Sequence, residues 1–204
     1  LDFHDIRLNV EPGALIPRSE TEELVEKVLE RLASLESPKI VDLGTGSGAI
    51  ALALAKALPA AKVLAVDRSA VALAQAKANA DGLGLRGSVA FRSGDWLENL
   101  QLEADCIVSN PPYLTEKEWE EARPEVRQFE PKEALVAPDE GMADLKVILR
   151  AAIDRLSSGG LLALEMGIAH GAALSEFAAS CGYTDITVEQ DATGRDRFLF
   201  TRKP

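Results

Sequence analysis

Apolar residues in this chain recur in two rhythms. Short unbroken runs lead up to Ile40-Val41 and recur at Lys62 to Val66 (KVLAV), Ser88 to Arg92 (SVAFR), Ala104 to Ser109 (ADCIVS) and Leu161 to Met166. Such runs read as buried strands. Between them lie stretches rich in helix formers or with helical spacing: Ala49 to Leu58, Ser69 to Ala80, Ala143 to Leu156 and Gly167 to Ser180. Strand alternating with helix predicts an α/β fold built on a parallel sheet. Tyr183 to Glu189 and Arg197 to Thr201 alternate as a closing antiparallel pair would. Leu1 to Val10 alternates in part and reads as a strand or hairpin arm. An amphipathic helix follows, with Leu24, Val25, Val28, Leu29 and Leu32 on one face. Ser19 and Glu22 fit a capping box at its start, and Glu23 is expected on its solvated side. Thr115 to Ala137 follows neither rhythm. It is charged and proline-broken, as irregular segments that fold over a site often are.

Two stretches carry candidate chemistry. Asp42-Leu43-Gly44-Thr45-Gly46-Ser47-Gly48 joins a strand to a helix. Glycines there let the backbone turn sharply and approach a ligand, and the helix then directs unpaired N–H groups at it. Gly44, Gly46 and Ala49 also satisfy the permissive dinucleotide spacing, so an NAD site is one reading, and close packing of helix on strand is another. Asn110-Pro111-Pro112-Tyr113 follows the Ala104 to Ser109 strand. Its prolines cannot extend a strand ladder, which leaves their carbonyls and the Asn110 amide available to a ligand; a plain strand-closing turn is the alternative. Ligands of open α/β sheets bind beyond the carboxyl ends of the strands, so both stretches are expected to face one pocket. Asp67 stands about 20 residues past the glycines, where an acidic residue takes ribose hydroxyls; Ser69 is the better helix cap.

Composition narrows the classes. The 204 residues suit a single domain with one substantial core, and a hydrophobic share of 47% is ordinary for a globular protein. No apolar run reaches the length of a membrane span, and the opening residues do not show the charged-then-apolar pattern expected of a signal peptide. Cys106 and Cys181 form no CxxC pair and only His4 and His170 accompany them, so no metal is expected. Unpaired cysteines suit a reducing, cytoplasmic setting. A net charge of −11 argues against a broad nucleic-acid footprint.

The glycine loop and the Asn110-Pro111-Pro112-Tyr113 tetrapeptide together resemble the class I S-adenosylmethionine-dependent methyltransferases that modify planar nitrogens. Leu15-Ile16-Pro17-Arg18-Ser19-Glu20-Thr21-Glu22-Glu23-Leu24-Val25 further resembles the opening signature of the release-factor glutamine methyltransferases (the HemK/PrmC family), though Ser19 stands where proline is common. Phe129-Glu130-Pro131, Glu165-Met166-Gly167 and the run Asp191 to Arg197 (DATGRDR) extend the likeness from about residue 6 to the C-terminus. His170 replaces a glutamine frequent in relatives and is read as a polar helix-start residue.

The resemblance implies a Rossmann-like, mostly parallel seven-stranded sheet with helices on both faces. It implies an N-terminal hairpin and active-site helix (1–36) packed on a methyltransferase region (37–204), together one compact domain. Members usually carry a small helical domain upstream, expected to lie outside these residues. The cofactor implied is S-adenosylmethionine, held by Gly44, Thr45, Gly46, Ser47, Gly48, Asp67, Arg68, Asp95, Trp96 and Asn110, with Trp96 and Asp95 at the adenine end. A half-exposed Trp96 as ordinary core is the lesser alternative. The substrate implied is the glutamine of the Gly-Gly-Gln motif in peptide-chain release factors. Asn110, Pro111, Pro112 and Tyr113 would bind it, and Asn110, Pro111 and Tyr113 would act on it. A monomer is expected, with release factors as partners and neither nucleic acid nor membrane bound directly. The alternatives are a ribosomal-protein glutamine methyltransferase, an adenine N6-methyltransferase acting on a flipped base, and a non-catalytic cofactor-binding scaffold.

Overall fold

The computed structural model describes all residues, Leu1–Pro204. It opens with a small antiparallel hairpin, β1 (Asp2–Phe3) and β2 (Ile6–Arg7), and then α1 (Ser19–Leu32). Alternation follows: β3 (Lys39–Leu43), α2 (Ala49–Ala57), β4 (Lys62–Asp67), α3 (Ala70–Gly82), β5 (Val89–Ser93) and β6 (Ala104–Ser109). Two short helices come next, α4 (Glu116–Glu121) and α5 (Pro124–Phe129), with a 3-10 turn at Lys132–Ala134. The chain ends with α6 (Ala143–Ala152), β7 (Leu156–Glu165), α7 (Gly171–Ser180), β8 (Thr184–Gln190) and β9 (Asp196–Arg202).

Seven strands form one sheet in the order β5-β4-β3-β6-β7-β9-β8. The first five are mutually parallel, and β9 runs antiparallel to both β7 and β8. Alternate strand residues feed two cores. Ile40, Val63, Cys106 and Val108 face one layer with Leu24, Val25 and Val28 of α1 and the alanine-rich α2. Val41, Val66, Ile107 and Leu162 face the other, with Leu145 and Leu149 of α6 and Leu174 of α7. Each fully buried leucine or valine of α1 contributes roughly 1.5–3 kcal/mol, enough to hold that amphipathic helix in place. The order reverses between β3 and β6, which are paired up to Leu43 and Ser109. The glycine loop and the tetrapeptide therefore leave neighbouring strands at the same level. The Ser109 hydroxyl donates to the Leu43 carbonyl at 2.7 Å and locks the two exits together.

Several sequence expectations shift. Ser19 makes no capping box: Arg18 is the extended N-cap residue, and no side chain caps the helix. The Ser19 hydroxyl donates to Glu20, while the Glu22 carboxylate accepts the His4 N–H at 2.9 Å and ties α1 to the hairpin. Glu23 is not simply solvated; its carboxylate accepts the Ala192 N–H at 3.0 Å. Helix α6 stops at Ala152, and Ser158-Gly159-Gly160 lies within β7, where the register against β6 slips. A Cβ on Gly160 would stand 2.8 Å from the Ser157 carbonyl, so this irregularity requires glycine. Helix α7 begins at Gly171, because the buried His170 closes a turn first. Its Nδ1 accepts the Gly167 N–H at 3.2 Å, so its Nε2 carries the proton and donates to the Glu140 carbonyl at 2.9 Å. Ser69 does cap α3, accepting the Ala72 N–H. The irregular 115–137 segment contains α4 and α5, and Thr115 with Glu118 forms a true capping box.

Candidate active site

The glycine loop is closed on its neighbour. The N–H groups of Gly44 and Thr45 both donate to the Val66 carbonyl, at 2.9 and 3.0 Å. Asp67, at the end of β4, accepts the Gly46 N–H on one oxygen and the Ser69 N–H on the other, each at 2.8 Å. It thus braces the loop while its remaining lone pairs stay free. Gly48, in the left-handed region at φ 88°, starts α2; a Cβ there would press on Ala76 of α3 at 3.1 Å. Beneath the loop lies Asp42, wholly buried. One of its oxygens accepts the Thr45 hydroxyl at 2.6 Å and the Ala51 N–H at 3.2 Å; the other has no partner. Burial pushes its carboxyl up to about 7, against the opposing pull of those two hydrogen bonds.

A cavity opens along this rim. Gly44, Gly46, Asp67, Arg68, Asp95, Trp96 and Asn110 line it, joined by Gly13, Ala14 and Leu15 and by Pro131, Glu133 and Ala134 from beyond α5. Thr45, Ser47 and Gly48 stand behind the loop and do not line it; Ser47 gives its carbonyl to Asn79. The Trp96 ring packs on Gly44, where an added Cβ would come within 3.1 Å of it, and its indole N–H donates to Asp144 at 3.2 Å. Arg68 spans to the Glu133 carbonyl. A bare glycine floor, an aromatic wall and the carboxylates of Asp67 and Asp95 fit a cationic nucleoside with a ribose diol.

A second cavity adjoins the first. It is mainly apolar and lined by Arg18, Pro111, Tyr113, Leu114, Ala122 and Val126, among others. Leu15, Asn110, Pro112 and Ala134 line both cavities, so the tetrapeptide forms part of the wall between them. Its backbone is held from the 115–137 side: the N–H groups of Tyr113 and Leu114 both donate to the Leu135 carbonyl. The Pro111 carbonyl takes no hydrogen bond from the chain. Glu130 is buried and accepts Arg18 at 2.6 Å and the Ile16 N–H at 3.4 Å, fastening the segment to the loop before α1.

Behind the tetrapeptide, residues from three distant stretches converge. The Asn110 amide donates to the Thr21 hydroxyl at 3.0 Å, and Thr21 donates to Glu165 at 2.7 Å. The Tyr113 hydroxyl donates to the other Glu165 oxygen at 2.9 Å. Burial raises the Glu165 carboxyl above its ordinary range, opposed by the Thr21 and Tyr113 bonds and by Arg197. Burial, with the Glu165 charge beside it, also pushes the Tyr113 phenol up, so it remains a proton donor. Arg197 lies over the Tyr113 ring at 5.7 Å and donates to the Met166 carbonyl at 3.0 Å. It pairs with the buried Asp191 at 3.5 Å. Sequence reasoning assigned no role to Thr21, Glu165, Asp191 or Arg197. All four fall within the signature stretches, which was the available signal.

Reversed strand order, glycine loop and twin cavities at the switch point are those of a Rossmann-like, nucleotide-binding fold, and the comparisons with known proteins make it a class I S-adenosylmethionine-dependent methyltransferase. The model of the methyltransferase small domain family matches residues 20–126. The chain is 44% identical over 205 residues to a release factor glutamine methyltransferase of Moorella thermoacetica, covering 99% of this chain and 72% of that protein. It is 42% identical over 203 residues to the protein so named in Xylella fastidiosa, covering 99% and 73%. Among solved structures, the delta-N METTL16 MTase domain superposes with a TM-score of 0.74 at 17% identity, over 98% of this chain and 89% of that one; this likeness speaks for the fold. The chain belongs to the release factor glutamine methyltransferase family.

Proposed function

We propose that this protein transfers a methyl group from S-adenosylmethionine to the side-chain amide nitrogen of the glutamine in the Gly-Gly-Gln motif of peptide-chain release factors. The observation that carries this reading is the position of Asn110, which faces both cavities and accepts no hydrogen bond on its own Oδ1. S-adenosylmethionine supplies an electrophilic methyl on a sulfonium. Asp67, Asp95, Trp96, Arg68 and the loop glycines would hold it, with Thr45, Ser47 and Gly48 shaping the loop from behind.

An amide nitrogen is a poor nucleophile because its lone pair is delocalised into the carbonyl. Asn110 Oδ1 and the Pro111 carbonyl accept the two amide hydrogens, which favours pyramidal nitrogen and stabilises the positive charge that develops there. Pro112 and Tyr113 wall the flat amide group and exclude water. The positively charged nitrogen sheds one of its N–H protons to solvent as the methylated product departs, so no strong base is required. The main contribution of the site is alignment of the nitrogen with the methyl group. Release factors are the partners in this reading, and a cytoplasmic monomer acts without direct nucleic-acid or membrane contact. The net charge of −11 supports the absence of a nucleic-acid groove, and no helix is long and apolar enough to cross a membrane.

The test incubates the protein with labelled S-adenosylmethionine and, separately, a release factor, its Gln→Ala variant, ribosomal proteins and DNA. Label on the intact release factor alone is the expected result. Label on the Gln→Ala variant, on ribosomal protein or on DNA instead would overturn the assignment.

A further inference from the structure

The arrangement behind Asn110 has a direction. Glu165 is 0% exposed, and a carboxylate only accepts hydrogen bonds. Thr21 has one hydroxyl proton, and at 2.7 Å from Glu165 that proton is committed to the carboxylate. What Thr21 presents to Asn110 is therefore a lone pair. The Asn110 end lying 3.0 Å away must then be the NH₂, and its carbonyl must face the other way, toward the shared wall of the two cavities. An asparagine amide is nearly symmetric in shape, so packing alone would not choose between its two ends.

We propose that Glu165 and Thr21 form a polarity relay that positions Asn110, fixing its amide so that Oδ1, and not the NH₂, meets the substrate nitrogen. The inference rests on the glutamine-methylation reading for what Oδ1 does, but the relay itself is a property of the chain. The same carboxylate holds Tyr113 through its second oxygen, so one buried group sets both side chains of the tetrapeptide that face substrate. Burial pushes the Glu165 carboxyl up, and the Thr21 and Tyr113 hydroxyls donating to its two oxygens, with the Arg197 charge held by Asp191 and the Met166 carbonyl, oppose that push and favour the ionised, acceptor-only form. With the amide reversed, the Asn110 NH₂ would meet the glutamine N–H that Oδ1 otherwise accepts, and neither group could accept; only the Pro111 carbonyl would still serve the other N–H. Thr21 and Glu165 touch neither substrate nor cofactor in this scheme; they act through Asn110.

The test is a double-mutant cycle of Thr21→Val with Asn110→Asp. Valine keeps the shape of threonine and removes the hydroxyl, and aspartate has the same atom at both ends, so it needs no orienting. With Asn110 present, Thr21→Val is expected to lower kcat about tenfold or more, while the Kd for S-adenosylhomocysteine stays within about twofold. In the Asn110→Asp background, the same substitution should cost less than about threefold, giving a coupling that a merely structural threonine lacks. Thr21→Ser, which keeps the hydroxyl, should recover turnover to within about threefold of the parent. Independently of catalysis, the Asn110 side-chain amide protons, followed by NMR, should exchange faster with water in Thr21→Val. Unchanged kcat in Thr21→Val, equal losses in both backgrounds, or a serine variant no better than valine would each overturn the relay. A parent protein that methylates no release factor would instead overturn the functional reading, and the amide exchange would still decide the relay.

Discussion

Asp42 offers the sharpest thermodynamic test of the cofactor loop. Its side chain is wholly buried, one oxygen has no partner, and its carboxyl is pushed up to about 7 from an ordinary 3.8. Between those values the folded state binds a proton that the unfolded state has released. Stability from this group is therefore fully present below pH 3.8, declines as pH rises, and is lost once pH passes about 7. Between about pH 5 and pH 8 the loss is about 2–3 kcal/mol. Asp42→Asn removes the titration while keeping an acceptor for Thr45 and Ala51. Every other group titrates alike in the two proteins, so their difference isolates Asp42. Urea unfolding of both proteins at about pH 5, 6, 7 and 8 measures it. The variant should gain on the parent by about 2–3 kcal/mol from the lowest to the highest pH. A difference constant to within about 0.5 kcal/mol would refute the buried, unpaired carboxylate.

Three further outcomes are expected. Asp67→Ala frees the Gly46 and Ser69 N–H groups and removes the acceptor on the cavity rim, and calorimetry should show S-adenosylhomocysteine binding weakened about tenfold or more; unaltered binding would remove Asp67 from the cofactor site. Gly48→Ala meets both a left-handed φ of 88° and Ala76 at 3.1 Å, so urea unfolding should show a loss of about 2–3 kcal/mol; a loss under about 0.5 kcal/mol would mean that loop and α3 are not so tightly apposed. Glu130→Ala leaves Arg18 and the Ile16 N–H without their acceptor, and limited proteolysis within 115–137 should accelerate about fivefold or more while the sheet resists; an unchanged pattern would show that this clamp does not hold the segment.

Much of the architecture was legible because it is written locally. The β3–loop–α2 unit announces itself through a short apolar run, three glycines and an alanine-rich helix. The Ala104 to Ser109 run ends at prolines that must leave the sheet. Because ligands of such sheets bind beyond the strands' carboxyl ends, both stretches were expected at one rim, and the β3–β6 pairing puts them there. What was not legible depended on partners remote in sequence. Thr21 and Glu165 are separated by 144 positions, and nothing in helical periodicity says that a threonine in the first turn of α1 meets the last residue of β7. The same limit explains the misplaced cap: Ser19 and Glu22 have the right spacing, but Glu22 is engaged by the hairpin. Thr115 and Glu118 have that spacing too, with no competing partner, and there the box forms. The end of α6 was misjudged because Leu156 continues a helical apolar stripe while its backbone already pairs with Ala104.

In the proposed reaction Asn110 stands between cofactor and substrate and presents an acceptor to the reacting nitrogen. The most direct measurement compares Asn110→Ala with the parent in single-turnover methyl transfer to a release factor, with S-adenosylhomocysteine affinity measured on the same samples. Transfer should slow about a hundredfold or more, with cofactor affinity within about threefold of the parent. Parent-like transfer by the variant would contradict this role for Asn110.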